Sequence, residues 1–194
     1  MKRSFARLVL KLWRWTPVGQ PPSRGSVIVC APHTSNVDYL LMILTAWTRN
    51  MTLSWLGKAS LFKPPLGWLM RATGGVAIDR SAPKGMVGQL SDEFARNPGL
   101  MLAIPAEGTR SRTEFWKSGF YRIAAQAEVP IGLSFIDKSK REVGFGIELE
   151  PTGDISADMA IIRNFYDGKV GLKPDQFGPV RLREEEPDEG QAAG

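Results

Sequence analysis

The chain has 194 residues, 43% of them hydrophobic and 23% charged, with 25 basic and 20 acidic residues, one histidine and one cysteine. That length suits one globular domain able to bury roughly seven tenths of its unfolded surface; a lone cysteine excludes an intramolecular disulfide and fits a reducing compartment, and with one histidine it leaves only carboxylates for a metal site, so none is expected. Residues 1–183 hold all 25 basic residues against 15 acids, a net +10, and the first 37 residues contain no acid, which suits an anionic surface.

In chain order, Phe5, Leu8, Val9, Leu12 and Trp13 recur at helical spacing opposite Lys2, Arg3, Arg7, Lys11 and Arg14, until Pro17, Pro21 and Pro22 stop the pattern. The pattern predicts a basic amphipathic helix and linker over residues 1–22. The helix either lies at a membrane interface with Trp13 and Trp15 at headgroup depth, or docks on the domain with its basic face in water. No run approaches the roughly 18–20 apolar residues that a membrane span needs, and the N-terminus lacks the apolar core and cleavage site of a secretory signal.

Residues 23–183 alternate short apolar runs with helix-like segments. This is the pattern of a single α/β domain with a mostly parallel central sheet flanked by helices. Strands are expected at 27–31, 51–56, 75–78, 100–105, 131–136 and 143–148, and helices at 38–48, 63–71, 84–96, 117–127 and 155–166. The last two strands read as an antiparallel hairpin at one sheet edge. Residues 184–194, which hold five of the acids, read as a disordered acidic tail.

In open α/β sheets a site lies at the carboxyl ends of the strands. Four segments fall there: His33 to Asp38, Asp79-Arg80, Glu107-Gly-Thr-Arg110 and the region around Pro130. His33 is the only group that titrates near neutrality without perturbation. Asp38, five residues on, can hold one ring nitrogen protonated and leave the other free to take a proton; the same spacing also fits a structural histidine at a turn. Cys30, between Val29 and Ala31, reads as a packing residue. Gly108 suits a tight turn with close backbone approach, and Thr109 can cap the turn or bond a ligand oxygen.

These segments resemble the blocks of the glycerolipid acyltransferase family, the lysophospholipid acyltransferases. His33-Thr-Ser-Asn-Val-Asp38 matches the first block, Gly75-Val-Ala-Ile-Asp-Arg80 the second and Glu107-Gly-Thr-Arg-Ser111 the third, while Val129-Pro-Ile131 weakly matches the fourth. Two departures are visible. Ala106 stands between Pro105 and Glu107, where the family places proline directly before the glutamate, and the fourth block lacks its second proline.

The resemblance implies a peripheral O-acyltransferase at the cytoplasmic face of the cell membrane. It would move a fatty acyl group from acyl-CoA or acyl carrier protein, a substrate rather than a retained cofactor, to the hydroxyl of a lysophospholipid such as 1-acylglycerol-3-phosphate. His33 would be the base and Asp38 its support, with Arg80, Glu107, Gly108, Thr109 and Arg110 shaping the acceptor pocket. Arginine suits a phosphate because its fork bonds two oxygens at once. Lys58, Lys63, Arg112 and Lys117 would extend the positive mouth, unless they are merely solvated charges. Trp47, Trp55, Trp68 and Met70 would line an acyl groove, unless they are core residues, and backbone N–H groups near Gly108 are candidates for an oxyanion site. The alternatives are another lysolipid acceptor, thioester hydrolysis by water, or a non-enzymatic basic module for membrane or nucleic acid. No nucleic-acid partner is expected, because no recognition-helix, zinc-ligand or aromatic RNA-binding pattern is present.

Overall fold

The computed structural model describes residues 2–65, 67–79, 81–82 and 84–186. The chain runs α1 (Lys2–Leu12), β1 (Thr16–Val18), β2 (Ser26–Ala31), α2 (Asn36–Thr48), β3 (Trp55–Lys58), α3 (Gly67–Ala72), β4 (Gly75–Ile78), α4 (Gly85–Arg96), β5 (Met101–Ile104), α5 (Gly119–Ala127), β6 (Ile131–Asp137), β7 (Glu142–Leu149) and α6 (Ile155–Tyr166). The main sheet has the order β1-β7-β6-β2-β5, and β3 pairs with β4 in a second, two-stranded parallel sheet.

The organising strand is β2. Its residues are apolar on both faces, the pattern of a strand covered on both sides, and it pairs in parallel with β5 and β6, setting Val27 opposite Leu102 and Ile131. Because successive side chains alternate faces, Val27, Val29 and Ala31 enter one core with Leu90, Phe94, Phe120, Ile123 and Tyr166 from α4, α5 and α6. Ile28 enters the other, with Ala6 and Leu10 of α1 and Leu41 and Leu44 of α2. The sheet is therefore sandwiched between helices, and the carboxyl end of β2 opens at the His33 turn.

The antiparallel β6–β7 hairpin lies at one side of this sheet as expected, but it is not the outermost element. Three residues of the expected linker form β1, which pairs in parallel with β7 in the register Thr16 to Glu142. Proline is tolerated there because an edge strand needs no donor on its open side. Trp15, just before β1, is buried rather than at a headgroup surface. Its ring lies under the Arg141 guanidinium, 5.5 Å from its centroid.

The expected strand at 51–56 also shifts. Met51 and Leu53 are core residues, Ser54 makes a single parallel bridge to Leu102 of β5, and the ladder proper begins only at Trp55. This bridge ties the small sheet to the large one. The acidic tail is ordered at its start: Arg163 pairs with Glu185, and the Leu182 N–H donates to Glu185 Oε2 at 2.7 Å; residues 187–194 lie outside the described residues. No described helix is long and apolar enough to cross a membrane.

Candidate active site

The chain leaves β2 at Ala31 and enters α2 through Pro32-His-Thr-Ser35. Ser35 is the N-cap: its side chain accepts the Val37 N–H at 3.1 Å, and Asp38, three residues on, accepts the Ser35 N–H at 2.7 Å, closing a capping box. The same Asp38 oxygen, Oδ2, accepts the Thr34 N–H at 2.5 Å and lies 3.4 Å from the Thr34 hydroxyl. The five-residue separation of His33 from Asp38 is thus set by a helix start, which holds the carboxylate at the foot of the histidine turn.

Among the described residues no hydrogen bond joins the His33 imidazole to Asp38; Oδ1, the carboxylate's other oxygen, is buried without a partner. The expected contact is not formed, and the turn occupies only Oδ2. Oδ1 remains the oxygen able to receive a ring N–H. Burial holds the half-buried His33 below its usual pKa, while the nearby Asp38 charge raises it and the Arg110 guanidinium lowers it. Burial raises Asp38 in turn, against the N–H groups of Thr34 and Ser35.

From β5 comes the loop Pro105-Ala-Glu-Gly-Thr-Arg110. Glu107 is 2% exposed, and both its oxygens accept the His33 backbone N–H, at 3.0 and 3.1 Å. Burial pushes its carboxyl up to about 7, the His33 N–H opposing this and the Asp38 charge adding to it. Glu107 therefore joins the ends of two neighbouring strands. Gly108 has a φ of +70°, a backbone that L side chains rarely adopt, and a Cβ there would stand 3.0 Å from Lys117 Cγ. Its N–H donates to Pro105 O at 3.0 Å, so the turn, not an oxyanion, takes that donor. Arg110 donates to Asn36 Oδ1 on the first turn of α2, and Thr109 is exposed, its hydroxyl accepting the Ser111 N–H at 3.3 Å.

These two loops flank a cleft of about 620 Å³. His33, Asn36, Asp38, Gly108 and Arg110 are among its lining residues, together with the apolar Met42, Leu53, Trp55, Leu56, Phe135 and Ile136. Cys30 also lines it, with its thiol pushed by burial up to about 11, which keeps it protonated and a poor nucleophile at neutral pH. A half-buried neutral imidazole, an arginine fork and an apolar lining in one cleft suit proton abstraction from an amphiphile with an anionic head.

Residues 18–132 match the acyltransferase family model. The chain belongs to the acyltransferase family. Among solved structures, this acyltransferase is similar to the 1-acyl-sn-glycerophosphate (LPA) acyltransferase PlsC from Thermotoga maritima, at 20% identity and a TM-score of 0.52, over 78% of this chain and 68% of that one. A comparison with curated protein sequences finds no match.

Of the residues singled out in this acyltransferase's sequence, the structure gathers His33, Asp38, Gly108 and Arg110 on one cleft. Glu107 lies behind them on the His33 backbone rather than among the lining residues. Arg80 lies outside the described residues. Of the four proposed groove residues only Trp55 lines the cleft. Trp47 packs in the α1–α2 core, Trp68 is 71% exposed, and Met70 is not among the lining residues. Arg112 turns away to donate to Phe177 O at 2.6 Å. Sequence reasoning missed Asn36 and the apolar lining from Met42, Leu53, Leu56, Phe135 and Ile136. The capping signature Ser35-x-x-Asp38 was a legible signal for the first; nothing local marked the second.

Proposed function

We propose that this acyltransferase moves a fatty acyl group from acyl-CoA or acyl carrier protein to the free hydroxyl of a lysophospholipid, with 1-acylglycerol-3-phosphate as acceptor and phosphatidic acid as product. The observation that carries this reading is the cleft itself, lined by His33 and Arg110 together with an apolar set that includes Leu53, Trp55, Leu56 and Phe135. The similar Thermotoga protein, titled an LPA acyltransferase, supports the choice of acceptor.

In the proposed reaction the free nitrogen of His33 takes the proton of the acceptor hydroxyl as its oxygen attacks the thioester carbonyl. The tetrahedral adduct then collapses, the carbon–sulfur bond breaks, and the departing thiolate takes the proton back from the imidazolium. Asp38 Oδ1 stabilises that imidazolium. No enzyme nucleophile enters, in keeping with the protonated Cys30. Arg110, tethered by Asn36, offers its remaining donors to the acceptor phosphate.

Helix α1 supports placing the protein at a membrane face. Ala6 and Leu10 dock it on α2, whereas Phe5, Leu8 and Leu12 are 56%, 57% and 70% exposed. Arg3, Arg7 and Lys11 form a basic row along one side of that apolar strip, an arrangement suited to a peripheral site on an anionic leaflet at the cytoplasmic face. The residues that dock, Ala6 and Leu10, lie outside the apolar stripe read from the sequence, whose Phe5, Leu8 and Leu12 stay exposed.

An acceptor swap tests the assignment. With palmitoyl-CoA as donor, the protein is expected to turn over 1-acylglycerol-3-phosphate in preference to lysophosphatidylcholine, and Arg110→Ala is expected to abolish that preference by raising KM for the phosphate monoester. An unchanged preference in the variant contradicts the assigned role of Arg110.

A further inference from the structure

The segment that follows α6 lies beyond residue 132, outside the span matched to the family. It nevertheless crosses the turn that carries His33. Lys138, at the end of β6, fastens it there, its N–H donating to Val170 O at 2.7 Å and its Nζ to Leu172 O at 3.2 Å. Gly171 is buried and so close to the turn that a Cβ on it would stand 2.9 Å from Pro32 Cβ and 3.2 Å from Thr34 Oγ1. The Lys173 N–H donates to Thr34 Oγ1 at 3.1 Å. The same hydroxyl lies 3.4 Å from Asp38 Oδ2, within reach to donate its proton.

We propose that residues 168–173 form a positioning strap for the catalytic turn, and that Thr34 is the positioning residue through which the strap sets the Asp38 carboxylate beside His33. Thr34 is 2% exposed, so no bulk solvent replaces a lost partner. A hydroxyl that accepts from one side and donates to the other is fixed in rotamer. With Oδ2 held by the Thr34 and Ser35 N–H groups and by this hydroxyl, the plane of the carboxylate is fixed, and with it the direction in which the unpartnered Oδ1 points. Glycine at 171 is what lets the strap backbone approach Pro32 and Thr34 so closely.

The inference rests on His33 acting as the base, and the experiment separates the two. Steady-state kinetics with palmitoyl-CoA and 1-acylglycerol-3-phosphate are measured for wild type, Thr34→Val, Thr34→Ser, Gly171→Ala and His33→Ala, each checked for folding by a thermal melt. Thr34→Val keeps the shape and removes the hydroxyl, so kcat is expected to fall about tenfold with KM for both substrates within about twofold, the mark of lost geometry rather than lost binding. Thr34→Ser is expected to recover most of that loss, and Gly171→Ala to reproduce it from the strap side. Wild-type kcat in Thr34→Val, a KM rise at unchanged kcat, or a Thr34→Ser variant as impaired as Thr34→Val would each overturn the strap. If Thr34→Val does not fold, Gly171→Ala decides by the same criteria. Full turnover by His33→Ala overturns the base reading itself, whereas its collapse beside wild-type kcat in Thr34→Val and Gly171→Ala overturns only the strap.

Discussion

At the scale of single residues, two titrating groups govern how the site responds to pH. Burial, the largest influence on His33, lowers its pKa from 6.5, so the imidazole is neutral and able to accept a proton throughout the neutral range. The acid limb of kcat/KM, which reports the free enzyme's base, is therefore expected to have its midpoint below 6.5. A midpoint above that value contradicts the desolvated base. Glu107 moves in the opposite sense. Its carboxyl titrates at about 7 when folded, against 4.5 ordinarily. Between those values the folded chain binds more protons than the unfolded chain, so stability falls as pH rises through that window. Glu107→Gln keeps an oxygen acceptor for the His33 N–H and removes the charge. Its melting temperature is expected to decline less than that of wild type between about pH 5 and pH 7.5, and parallel declines would contradict this account of Glu107.

At the scale of elements, α1 separates packing from membrane contact on one helix. Leu10, 1% exposed against α2, holds the helix to the domain, and Leu10→Ala is expected to destabilise the fold by about 2–5 kcal/mol in denaturant titration. Leu8→Glu with Leu12→Glu should leave the melt near wild type and weaken sedimentation with anionic vesicles by more than about tenfold, since each leucine stands to bury about 1.5–3 kcal/mol of side chain in lipid. Unchanged sedimentation would remove the membrane role from this helix. The sequence made such elements legible wherever the signal was local. Helix α6 was read over its full length, its start agreeing with the Asp154 N-cap that the structure shows, and β4 was bounded correctly at Gly75–Ile78. It did not reveal β1, three residues including a proline whose strand character comes from β7. Nor did it show the strap, whose bond to Thr34 spans 139 positions. The His33–Asp38 block was visible as a spacing, and the Ser35-x-x-Asp38 signature carried the capping box that produces it, though only the structure shows Ser35 as the N-cap.

At the scale of the whole molecule, the cleft is an assembly of distant parts. The end of β2 supplies the His33 turn, the end of β5 supplies Glu107 to Arg110, β3 and β6 supply Trp55 and Phe135 to the lining, and the segment after α6 closes over the back. Parallel pairing of β2 with β5 brings the first two together, and Glu107 on the His33 N–H fixes their separation. The central claim is that this assembly transfers an acyl group with His33 as its base. It is tested most directly by thiol release from palmitoyl-CoA, with and without 1-acylglycerol-3-phosphate, for wild type and His33→Ala, with the lipid product identified by mass. The account expects acceptor-dependent release that yields phosphatidic acid and falls about 10² to 10⁴-fold in the variant, the range that positioned general-base help contributes. Release independent of acceptor, or undiminished in His33→Ala, would contradict it.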